Sequence, residues 1–141
     1  MQEIKVSHAV VIDESSRLYF DRNKRLNGLT LLGGKHEEGE DDLTCLKREL
    51  PEEGGFSLDD AILIHIIRVN EILEVDGVKY NGTTRAVQIS DDLGDEIAKR
   101  ENVVRMAVSD ILYRKNDFSY KIDFNRLFEK VLDSISFINR K

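Results

Sequence analysis

The apolar positions of this chain follow the two-residue period of strands along most of its length. They switch to a helical period in the middle and again at the C-terminal end. Residues 4–13 (Ile-Lys-Val-Ser-His-Ala-Val-Val-Ile-Asp) are rich in β-branched side chains and predict a strand, with His8 inside it as a packed or surface residue. Glu14-Ser15-Ser16 predicts a turn and Arg17–Asp21 a second strand, the two strands forming a hairpin. Leu29–Leu32 is a short apolar strand leading into Gly33-Gly34. Farther on, Ala61–Val75 and Val78–Ile89 flank Asp76-Gly77, a dipeptide suited to hairpin turns, and Gly82 marks a bulge or irregularity in the second of them. Asp91–Glu101 is polar and acidic and predicts a loop. Val103–Val108 predicts a further strand, and Ser109–Leu112 a short capped helical turn. Phe124, Leu127, Phe128, Val131, Leu132, Ile135 and Ile138 then fall on one face of a helix of about four turns.

The central helix is bracketed by its own punctuation. Asp41 or Asp42 starts it, because acidic residues in a first turn suit the helix dipole. Leu43, Leu46 and Leu50 form an apolar stripe that seats it on a core, and Gly54-Gly55 ends it. Pro51, the only proline of the chain, falls inside. Its ring removes a backbone donor from the Lys47 carbonyl, so the expected outcome is a kink that keeps Glu52 and Glu53 helical.

Charge changes the picture. Between Gly34 and Phe56 the chain sets eight carboxylates against three lysines and arginines. Like charges one turn apart repel, so such a cluster points to a cation that neutralises it. Glu49, Glu52 and Glu53 stand at i, i+3 and i+4 and project from one helix face.

Gly34, Glu40, Arg48, Glu49, Leu50, Glu52, Glu53, Gly55 and Phe56 together match, position for position, the signature of the Nudix hydrolases, and the segment resembles that family's box. The resemblance implies an α+β fold with a mixed β-sheet between helices, in one domain spanning 1–141. It implies a hydrolase that cleaves a pyrophosphate bond in a nucleoside diphosphate linked to another group, with Mg²⁺, or Mn²⁺ in its place, held by Glu49, Glu52 and Glu53. Glu40 and Arg48 resemble a structural brace. Arg22, at the end of the second strand, matches a phosphate-contacting arginine, and Gly33, Gly34 and Lys35 complete the expected substrate contacts. A general base or extra metal ligand comes in such proteins from a late glutamate, here Glu101 or Glu96, and Glu101 lies nearer the strand at Val103. Two departures stand out: Leu32 replaces the proline common before the paired glycines, and the chain has no tryptophan. Cys45 takes a position of tight packing.

Among substrates, no proline follows Pro51, so the ADP-ribose subgroup's proline is missing, and Tyr80 lies too far along for the tyrosine of diadenosine polyphosphate hydrolases. That leaves a nucleoside or deoxynucleoside triphosphate as the expected substrate. Sugar nucleotides, dinucleoside polyphosphates and capped RNA are the alternatives, and a non-catalytic ligand-sensing module is the reading from another class.

Composition narrows the partners. At 141 residues with a formal net charge of −6, the chain suits one soluble domain and not an extended nucleic-acid surface. One cysteine allows no internal disulfide, and neither a signal peptide nor a membrane-spanning run is legible, so a cytoplasmic setting is expected. A homodimer is left open.

Overall fold

The computed structural model describes residues 2–139. β1 (Glu3–Asp13) is the spine of a seven-stranded mixed sheet. On one side it pairs in parallel along its whole length with β6 (Val78–Ile89), which pairs antiparallel with β5 (Leu63–Val75) at the sheet edge. Its other side is shared by two antiparallel partners. β4 (Leu32–Lys35) takes Val6–Ala9, and β2 (Arg17–Asn23) takes Val11 and Ile12. β2 continues the sheet to β3 (Gly28–Thr30) and β7 (Val103–Ala107).

The alternation of β1 builds two cores. Ala9 and Val11 face Leu46 and Leu50 of α1 (Asp42–Glu53) and Ile97 of α2 (Asp91–Ala98). Val10 and Ile12 face Ile111 of α3 (Val108–Tyr113) and Leu127 and Val131 of α4 (Phe124–Asn139). Helices therefore cover both faces of the sheet, the α+β arrangement expected. No helix among the described residues is long and apolar enough to cross a membrane.

Several local expectations need correction. Asp91–Glu101 is not a loop: its first eight residues are α2, with Ser90 Oγ accepting from the Leu93 N–H at 3.1 Å as N-cap. Leu29–Leu32 is split, and Gly33 and Gly34 belong to β4 instead of following it as a loop. The irregularity near Gly82 lies in the partner strand, where register shifts between Ile66 and Glu71 crowd extra residues of β5 opposite it and Asn70 takes a positive φ. Leu43 is 37% exposed, because α1 seats itself through Cys45, Leu46 and Leu50. The turn at Ser109 is α3, which begins at Val108 and has no side-chain cap.

α1 starts where Asp41 Oδ1 accepts from the Thr44 N–H at 2.8 Å. It runs through Pro51, and helical bonding resumes with the Gly54 N–H on the Leu50 carbonyl (2.8 Å) and the Gly55 N–H on the Pro51 carbonyl (3.1 Å). The proline is exposed in the last turn, so its cost is confined to the missing donor at Lys47. Pro51→Ala is expected to stabilise the fold by up to ~3 kcal/mol, with divalent-cation affinity little changed. Denaturant unfolding checks this, and a variant less stable than the parent contradicts it.

Candidate active site

The box residues converge where β4 leaves β1. Gly33 has a φ of 135°, and a Cβ there would lie 2.0 Å from the Ser7 carbonyl oxygen of β1. Only glycine fits so close an approach. The backbone placed this way turns the Gly33 N–H toward Glu53, whose Oε1 accepts from it at 2.8 Å. Gly34 leaves room in the same manner for Glu49, since a Cβ would stand 2.7 Å from Glu49 Oε1.

Arg48 ties the helix to the preceding loop. Its Nε and Nη2 donate to Glu40 Oε2 and Oε1 at 2.8 and 2.9 Å, the paired geometry that guanidinium and carboxylate favour. Nη1 donates to Glu49 Oε1 (2.8 Å) and Nη2 also reaches the Lys35 carbonyl (3.0 Å). Glu40 in turn accepts from the Glu37 N–H, and with Arg48 as the larger influence its carboxyl is held down to about 2. Arg48→Ala is expected to lower the melting temperature together with turnover. A raised KM at an unchanged melting temperature would instead make Arg48 a substrate contact.

At the other end of α1, Arg100 Nη2 donates to the Glu52 carbonyl (2.8 Å) and Asn102 Nδ2 to the Glu53 carbonyl (2.9 Å). Two side chains thus satisfy carbonyls that a helix end leaves without donors. Asn102 also donates to buried Asp21, which adds to the negative field around Glu53. Burial, then Asp21, Glu49 and Glu52, push the Glu53 carboxyl up to about 7, against the lowering effect of the Gly33 N–H.

That shift has a testable consequence. A carboxyl whose pKa is raised on folding contributes stability that is complete below its unfolded value of about 4.5 and lost as pH rises through about 7. His8 works oppositely: burial, then Lys130, lower its pKa to about 4, so its contribution grows as pH rises toward 6.5. Subtracting one protein from the other isolates the carboxyl. In metal-free buffer, Glu53→Gln is expected to gain stability relative to the parent between pH 4.5 and 7, and parallel melting profiles would refute this.

The cluster opens onto a cavity of about 670 Å³ between the sheet and α4, within the ~300–1,000 Å³ of typical ligand pockets. Gly33, Gly34, Lys35, Arg48, Glu49 and Glu53 line it. Four of the expected metal, substrate and base candidates do not. Glu52 has a side chain 64% exposed, drawn toward Arg48. Arg22 is exposed on β2, and Arg25 of the following loop lines the cavity in its stead. Glu101 is exposed in the turn between Arg100 and Asn102, and Glu96 is exposed in an ion pair with Lys99. The cavity also takes in residues that no local signal named. His8, Tyr80 and Thr84 form its floor on β1 and β6, and Lys121, Arg126 and Lys130 its wall before and along α4. The alternation of β1 put His8 on the α4 face, but only the tertiary packing shows that this face is hollow.

Among the described residues, no three carboxylate, histidine or cysteine side chains stand close enough to share one metal ion. Arg48 holds Glu49 and the Gly33 N–H holds Glu53, which separates carboxylates that share a helix face. The donor set nonetheless fits a hard divalent cation. Glu49, Glu52 and Glu53 offer oxygen ligands alone, Gly34 keeps a space beside Glu49 that any side chain would fill, and Glu52 is free to rotate.

No family model matches the sequence, and no curated protein is detectably similar to it. Solved structures are. A C. elegans Ap4A hydrolase is similar over 98% of each chain, with a TM-score of 0.70 at 14% identity. A MutT protein from Methanosarcina mazei Go1 is similar over 99% of this chain and 97% of its own, with a TM-score of 0.63 at 18% identity. A mutT/nudix family protein from Listeria innocua matches 99% of this chain and 96% of its own, with a TM-score of 0.65 at 11% identity. At such identities the likeness establishes architecture, and the chain has the fold of the Nudix hydrolases.

Proposed function

We propose that this chain is a divalent-cation-dependent pyrophosphohydrolase acting on a nucleoside diphosphate linked to another group. The observation that carries the reading is that Glu49 and Glu53, one turn apart on α1, both line a cavity of about 670 Å³, each placed by one of the two glycines of β4. Glu53 and Glu49 would hold Mg²⁺ or Mn²⁺, with Glu52 joining by rotation. The ion, when bound, offsets the polyphosphate charge and lowers the pKa of water.

The chain's own groups do the rest. Lys35 presents an ammonium to the phosphates of the anhydride. Glu49 Oε2, the oxygen not engaged by Arg48, is the acceptor for the proton of the attacking water. Glu101 would reach the cavity only if the Arg100–Asn102 turn moved, so it is the second choice of base. Arg48 and Glu40 position Glu49 without touching the reacting atoms.

Nucleoside and deoxynucleoside triphosphates head the expected substrates. Dinucleoside polyphosphates form a second reading, favoured by the likeness of the fold, end to end, to an Ap4A hydrolase. A screen with and without Mg²⁺ over triphosphates, sugar nucleotides, dinucleoside polyphosphates and capped RNA tests the assignment. Binding without turnover across the panel would favour a ligand-sensing module instead.

A further inference from the structure

Among the described residues, three cations of the cavity lining have no acidic partner: Lys35 on β4, and Arg25 and Lys121 on two loops that the fold fastens together. The other cations of that wall are committed: Arg126 to Asp123 and the Ile72 carbonyl, and Lys130 to Glu71. Arg25, between β2 and β3, and Lys121, just before α4, also line the cavity. Among the described residues, neither has a carboxylate within the 4.0 Å of an ion pair. The Lys121 Nζ lies 5.9 Å from the centre of the neighbouring Tyr120 ring.

Ser119 joins the two loops. Only 3% exposed, it donates its hydroxyl to the Leu26 carbonyl (2.6 Å) and its N–H to the Leu29 carbonyl (3.0 Å). The Lys121 N–H donates to the same hydroxyl at 3.2 Å. Gly28 permits the approach, for a Cβ there would lie 2.6 Å from the Ser119 nitrogen. Arg25 is thus next to one end of a buried fastening, and Lys121 is two residues from the other.

We propose that Arg25 and Lys121 form a subsite for a phosphomonoester that the substrate carries apart from the anhydride to be cleaved. The proposal rests on the pyrophosphohydrolase reading and narrows it to nucleoside diphosphate derivatives bearing one further phosphate. A chain with 27 acidic and 21 basic residues has carboxylates to spare, yet these two cations face a cavity unmatched. A phosphomonoester carries about −1.5 to −2 charges near neutral pH, which matches one guanidinium and one ammonium. The guanidinium supplies parallel donors to two phosphate oxygens and the ammonium a compact charge. A neutral sugar or base in their place would strip water from both cations and return no counter-charge.

The test is equilibrium binding in the presence of a chelator, so that no turnover is needed. The probes are two pairs differing by one phosphomonoester: NADP⁺ against NAD⁺, and coenzyme A against dephospho-coenzyme A. The phosphorylated member of at least one pair is expected to bind about tenfold more tightly or better, with a preference that shrinks as salt is added. The Arg25→Ala/Lys121→Ala double variant should bring the ratio to about one, and Gly28→Ala, which forces the loops apart, should reduce it. Equal binding within both pairs, binding of no probe, or a preference that survives the double variant would overturn the subsite. Hydrolysis of the same probes with Mg²⁺ is read separately. Preference without turnover would sink the hydrolase reading alone, and turnover without preference would sink the subsite alone.

Discussion

Glu53→Gln is expected to fold normally and to lose more than about a hundredfold in turnover, the effect of removing a group that supplies several kcal/mol of transition-state stabilisation. The substitution keeps the shape of the side chain and an oxygen for the Gly33 N–H. It removes the negative charge, which in metal-free protein sits in a half-buried setting beside Asp21, Glu49 and Glu52. That setting is unfavourable for a carboxylate on its own and suits one that shares a cation. The same variant should therefore be more stable than the parent without metal above pH 7 and less able to bind Mn²⁺. Turnover near that of the parent in a folded Glu53→Gln protein would show that Glu53 has no part in catalysis.

Gly33→Ala is expected to be the most damaging small substitution at the site. The added methyl would stand 2.0 Å from the Ser7 carbonyl oxygen and 2.8 Å from the His8 Cα, both main-chain atoms of the central strand. Neither can swing aside as a side chain would. β4 would have to part from β1, breaking the ladder from Val6 to Ala9 and moving the N–H that holds Glu53. A φ of 135° adds backbone strain for any residue with a Cβ. The expected loss is about 3 kcal/mol or more, at the upper end for a point substitution, with activity falling alongside. A Gly33→Ala protein with the parent's melting temperature and turnover would mean that the tight β4–β1 contact is not needed.

The sequence was informative wherever a residue type answers to local geometry. The strand at β1, the turn at Asp76-Gly77 and the C-terminal helix each follow from periodicity and turn chemistry within one segment. The box followed from fixed offsets: Glu40 and Arg48 are eight residues apart and meet in a paired ion contact. α2 was obscured because its length is eight residues, it contains Gly94, and acidic residues mask the Leu93–Ile97 spacing. Ser90 before two aspartates was the signal that could have found it.

The site was legible in its identities and not in its side-chain directions. Helical spacing put Glu49, Glu52 and Glu53 on one face, but Arg48 and the Gly33 N–H then pull the carboxylates apart. Arg100 and Asn102 hold the carbonyls of Glu52 and Glu53 across about 48 residues of chain, a contact that no window of sequence contains. The far wall of the cavity has the same origin. Lys121, Arg126 and Lys130 line it because α4 and the loop before it pack against the sheet, a placement that no local pattern contains.

The Glu49–Glu53 cluster is proposed to support metal-dependent cleavage of a phosphoanhydride. Phosphorus-31 NMR of the nucleotide panel, followed with Mg²⁺, with chelator, and after Mg²⁺ is restored, tests it most directly. Anhydride resonances of at least one substrate are expected to disappear with Mg²⁺, persist with chelator, and disappear again when the ion returns. Resonances unchanged by Mg²⁺ across the whole panel, or lost equally fast in chelator, would contradict it.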